Sequence, residues 1–211
     1  MKKLVYLSFA ACALAVVSCD ALSNAVGGTK MDTEEATAKV AETLKESIDQ
    51  TQWKVTHIHW FEGEELENDL LSMDVGLVNS KGGNYSQTFI LGGPGAGSVG
   101  ELREAVGRVA REATFENVVG IPFEMIDPVK IQAQYDAAKA LLPEGYTFKS
   151  IGGYWIDETI GGRRDGEINA RFNINITEDG NEVVESAGQS SIQYYEVDFN
   201  VLADGSVEID E

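Results

Sequence analysis

The amino-acid sequence predicts an α+β fold, with antiparallel sheet and helices packed on one of its faces. Three observations lead there. Some segments repeat their apolar residues every three or four positions, and others alternate with period two. The order helix, strand, strand, strand then occurs twice, from Asp32 to Leu91 and from Asp127 to Leu202.

The first helix is expected from Asp32, whose spacing to Glu35 is that of a capping box, with Ala36, Val40, Leu44 and Ile48 on one stripe. Strands follow at 53–61, 69–78 and 85–91, the last two joined as a hairpin across Ser80–Asn84. A second helix is expected from Ser98, with Glu101 three residues on and Val99, Leu102, Val106, Val109 and Ala113 as its stripe. Asp127-Pro128 opens a third, whose stripe is Ile131, Tyr135, Ala138 and Leu142, and Pro143 ends it. Strands at 146–156, 167–177 and 191–202 and a short Val207-Glu208-Ile209 complete the chain. In 167–177, Ile168, Ala170, Phe172, Ile174 and Ile176 alternate with Glu167, Asn169, Arg171, Asn173 and Asn175. That division assigns one face to the core and the other to water.

Composition narrows the class. The 211 residues are 43% hydrophobic and 24% charged, enough to bury a core. Acidic residues outnumber basic ones 35 to 16, and the formal charge of -19 repels nucleic acid and anionic membrane surfaces.

The N-terminus carries a processing pattern. Lys2 and Lys3 precede an apolar run from Leu4 to Val17, too short to span a bilayer, and Val16-Val17-Ser18 stands before Cys19. This resembles the lipobox of bacterial lipoproteins. The resemblance implies cleavage before Cys19, a diacylglycerol on its thiol, and a membrane-anchored place in the bacterial envelope, periplasmic or surface-exposed. Cys12 would leave with the signal, so no thiol would remain for a disulfide, a metal site or a nucleophile. The expected organisation is a signal peptide at 1–18, a lipidated tether at 19–31, an α+β unit at 32–91, a glycine-rich linker with a bridging helix at 92–126, and a second α+β unit at 127–211.

Candidate chemistry is sparse. His57 and His59, the only histidines, project from one face of the first strand about 7 Å apart. That spacing suits two imidazoles on one zinc ion, with a third ligand from the carboxylates between Glu62 and Asp69. Gly95–Gly100 matches the glycine fingerprint of dinucleotide-binding folds, but the strand before it is the second arm of a hairpin rather than part of a βαβ unit. As a nucleophile elbow at Ser98 it has both histidines on the wrong side in the chain. Asn175–Gly180 lacks the first aspartate and twelfth glutamate of a calcium loop and reads as a hairpin turn. Trp60 with Tyr154 or Trp155 offers an aromatic platform for a sugar ring or a partner's side chain.

No complete catalytic set is present and no cofactor is expected. The sequence reading is therefore a non-enzymatic, membrane-tethered binding or adaptor module for an envelope protein, peptide or glycan. Its rival is a metal-binding or metal-dependent hydrolytic protein built on His57 and His59.

Overall fold

A computed structural model of the chain describes residues 28–106, 112–186 and 189–210. The signal segment, Cys19 and most of the expected tether lie outside them. Among the described residues the named strands and α-helices follow in the order α1 (Glu34–Ser47), β1 (Trp53–Glu62), β2 (Leu70–Asn79), β3 (Asn84–Ile90), β4 (Arg103–Glu104), α2 (Pro128–Ala140), β5 (Tyr146–Glu158), β6 (Ile168–Glu178), β7 (Val183–Ser186), β8 (Gln189–Ile192), β9 (Tyr195–Val201) and β10 (Val207–Ile209). Eight strands form one antiparallel sheet in the order β10-β9-β6-β5-β1-β2-β3-β4, while β7 and β8 pair separately. The two helix-strand-strand-strand units thus share a sheet, joined where β1 runs antiparallel to β5 from His57↔Asp157 to Phe61↔Gly153.

Both helices lie side by side on one face. Ala36, Val40 and Leu44 of α1 and Ile131, Tyr135 and Ala138 of α2 are buried in the same core as Ile58, Met73, Val75 and Ile156 of the sheet. Beneath α2 an aromatic row crosses four adjacent strands. Trp60 stacks on Tyr154 at 4.5 Å, Tyr154 on Phe172 at 5.6 Å and Phe172 on Phe199 at 5.3 Å, with Tyr135 edge-on to the middle two rings. Such pairs add about 1 kcal/mol each to their area burial.

Local chemistry sets the helix ends. The N-cap of α1 is Thr33, whose Oγ1 accepts from the Ala36 amide at 3.3 Å. Asp32, the expected cap, turns inward instead and takes Lys139 Nζ at 2.6 Å and Asn68 Nδ2 at 2.6 Å. In α2 the expected cap stands: Asp127 Oδ1 accepts from the amides of Val129 and Lys130, with Pro128 at the first helical position.

Three elements depart from the sequence reading. From Ser98 to Val106 the expected helix is replaced by extended chain along the free edge of β3: Phe89↔Val99, Tyr85↔Glu104 and Ser86↔Arg103. An open edge offers a row of unpaired amides and carbonyls, and pairing with it outweighs the weak helix propensity of a stretch carrying Gly97 and Gly100. Val99, Leu102 and Val106 are accordingly exposed, while residues 107–111 lie outside the described residues. The strand expected at 191–202 is divided between β8 and β9. Finally, the fold begins before Asp32: Thr29 and Met31 are buried, and this segment bonds to the 62–69 loop through Met31 N to Asn68 O and Leu70 N to Thr29 O.

Candidate binding site

The face of the sheet opposite the helices carries the site. A register shift between Val55 and His57 resets the alternation of β1, so Val55, Ile58 and Trp60 enter the core and His57, His59 and Phe61 point away from it. Neighbouring strands present Asp74 on β2, Trp155 and Asp157 on β5, Arg171, Asn173 and Asn175 on β6, and Glu196 on β9 to the same face.

The histidines do share this face. Their rings stack at 4.6 Å with 28° between planes, and His59 Nε2 lies 2.7 Å from Asp157 Oδ1. His57 is pressed against the backbone of Gly76, where no Cβ would fit. Burial, with a smaller contribution from His59, lowers the His57 pKa to about 4 against the opposing pull of Asp157 and Asp74. Its imidazole is neutral near pH 7. Among the described residues no group of three histidine, cysteine, aspartate or glutamate side chains is placed to hold a metal ion. From the glycine stretch at 95–100 to Val106 the described chain runs extended beside β3, so no helix N-terminus stands directly after the glycines to receive a pyrophosphate or carry a nucleophile elbow.

The expected aromatic platform divides between two environments. Trp60 is 0% and Tyr154 2% exposed, both inside the aromatic row of the core, because the bulges in β1 and β5 turn them toward α2. Trp155 points the other way. It packs edge-on against Phe61 at 5.6 Å, and Arg171 lies 4.8 Å from its ring centre. These aromatics flank a cleft of about 290 Å³ whose floor contains Gly152, Asn173 and Asn175 and whose rim includes Glu62, Glu65, Tyr194 and Glu196. The glycines of β5 make the room. A Cβ on Gly153 would lie 2.7 Å from Trp155 and 3.0 Å from Phe61, and one on Gly152 2.9 Å from the Asn173 amide.

Glu62 organises the cleft. Its carboxylate accepts from the amides of Leu66 at 3.4 Å and Asn68 at 2.9 Å, from Ser150 Oγ at 2.9 Å and from Asn175 Nδ2 at 2.9 Å. The first two bonds fold the 62–69 loop back on itself, with Leu66 at φ 70° and Asn68 at φ 60°, a left-handed conformation that costs a side-chain-bearing residue about 1 kcal/mol. Asn68 Oδ1 then accepts from the Ile151 amide and locks the loop to β5. Glu65 is thereby held within hydrogen-bonding reach of Tyr194, and this bond, with nearby Glu196 and Glu62, raises the pKa of the phenol.

The sequence reading took Asn173 and Asn175 as solvent-facing, yet they are 4% and 3% exposed. The signal for the cleft was the pairing of Gly152-Gly153 with carboxamides at every second position of the next strand: only side-chain-free residues let amides pack that closely. A second cavity on this face is less polar. Of about 230 Å³, it lies between His57, Tyr85, Ala113 and Ile160, lined mainly by apolar atoms. No known protein family, curated protein or solved structure matches the chain.

Proposed function

We propose that this protein is a non-enzymatic binding module of the bacterial envelope, anchored through a lipid on Cys19, which holds a protein, peptide or glycan in the cleft on the sheet face opposite α1 and α2. The observation that carries this reading is the cleft itself. It sets a half-buried tryptophan against Phe61 and places buried carboxamides beneath them. A few convergent polar groups in an aromatic-walled concavity are the features of ligand seats. Among the described residues no helix is long and apolar enough to cross a membrane, which leaves anchoring to the lipidated terminus in this reading.

The test is a crosslinking pull-down from envelope fractions with the parent and with Trp155→Ala. Recovery of a protein or glycan by the parent that falls sharply in the variant is expected. Equal recovery by both would remove the cleft from the reading, and labelling with a radioactive fatty acid that is unchanged by Cys19→Ala would remove the anchor.

A further inference from the structure

We infer that the cleft is a seat for a cationic side chain, the ammonium or guanidinium of a lysine- or arginine-bearing peptide, rather than for a neutral sugar. This rests on the binding-module reading above and narrows it. Three carboxylates, Glu62, Glu65 and Glu196, line the cleft, and none of its other lining residues is basic. Arg171 stands outside that lining, at the Trp155 ring and beside Asp157. A neutral ligand gains nothing from this imbalance, whereas a cation gains from the carboxylates and from the faces of the aromatic walls.

Asn175 points to the same ligand independently. Its Nδ2 donates to Glu62 Oε1 and to Ser150 Oγ at 3.0 Å. A carboxylate only accepts, so the amide orientation is fixed and Oδ1 is left as the free end. That oxygen is buried and takes no donor among the described residues. An unpaired buried acceptor is costly, and because Asn175 lines the cleft, a small shift of the groups covering Oδ1 would let a ligand N–H satisfy it. Acceptors and carboxylates together call for a donor-only ligand, as ammonium and guanidinium groups are.

The experiment is isothermal titration of the full chain in mild detergent with three probes: N-acetyl-trilysine amide, the same peptide with every side chain acetylated, and a tri-N-acetylglucosamine. The lysine peptide is expected to bind, more weakly as salt rises from about 50 to about 300 mM, and the acetylated peptide to bind at least about tenfold less well. Trp155→Ala and Glu65→Gln/Glu196→Gln should each weaken the lysine peptide by about tenfold, with Trp155→Phe retaining most of its affinity. Glu101→Gln/Glu104→Gln, which removes the same charge at the far edge of the sheet, should leave it unchanged.

Equal loss with the distant pair would reduce the effect to net charge and overturn the inference. So would no binding of the lysine peptide, while the pull-down with Trp155→Ala still judges the module separately. Tighter binding of the sugar or the acetylated peptide, lost in Trp155→Ala, would overturn the cationic assignment and keep the cleft as a seat.

Discussion

Single side chains on the face opposite α1 and α2 shape the cleft and set a pH response. His57 has a pKa near 4 when folded, against about 6.5 in an unfolded chain. The unfolded state therefore binds more protons between those values, so the stability from the neutral buried ring is complete above about pH 6.5 and is lost as pH falls toward 4. The full difference is of order 3 kcal/mol. Urea titrations at a series of pH values should show that loss in the parent and a flatter profile in His57→Gln; identical profiles would mean that the ring is not kept neutral by burial. Gly153→Ala tests the cleft at the same scale. The added methyl must displace Trp155 or Phe61, so this variant is expected to lose ligand binding while its melting temperature falls by only a few degrees. Retention of full affinity would show that the aromatic walls need not stand where they do. Little of this was legible beforehand: the sequence placed His57, His59 and Trp155 on strands, but which face Trp60 and Tyr154 took depended on bulges that leave no mark in an alternating pattern.

At the scale of elements, legibility followed local chemistry. The β2–β3 hairpin, the apolar stripe of α1 and the Asp127-Pro128 start of α2 were read correctly, because turn residues, 3.6-residue spacing and a cap before proline each act within a few positions. The Ser98 segment had equally good local signals and did not become a helix over its described part, since the edge of β3 competes for it and no local pattern encodes an edge. Asp32 shows the same conflict in one residue: its capping-box spacing was overridden by Lys139 and Asn68, and Thr33 took the cap. Burial is the largest single influence on the Asp32 carboxyl and pushes its pKa up, but the bonds from Lys139 and Asn68 together hold it below 3.8. Thr33→Ala should accordingly cost about 1 kcal/mol by denaturant unfolding, as loss of an N-cap does. Asp32→Ala should cost more, because it leaves Lys139 unpaired and frees the loop that positions Glu65. A smaller effect at Asp32 than at Thr33 would mean that its bonds to Lys139 and Asn68 contribute less than a helix cap does.

The whole molecule is bound together at the seam the repeat conceals. Two helix-strand-strand-strand units suggest two independent halves, but β1 and β5 are hydrogen-bonded neighbours and the aromatic row passes from Trp60 across the seam to Tyr154, Phe172 and Phe199. The candidate cleft straddles the same seam, with Phe61 and Glu62 from one half and Trp155, Asn173 and Asn175 from the other. The cleft thus requires the halves to be assembled, and one core cluster draws residues from both. Chemical unfolding should therefore be one transition, with tryptophan fluorescence and far-ultraviolet circular dichroism giving the same midpoint. Trp60→Ala should lower the stability read from that single transition by about 3 to 5 kcal/mol, the cost of emptying a buried aromatic site, and should weaken both halves equally rather than unfold residues 28–91 first. Two separated midpoints in the parent, or early loss of one half in the variant measured by hydrogen exchange, would mean that the units are stable apart. The cleft would then be a junction between two domains, its geometry set by their docking rather than by one continuous sheet.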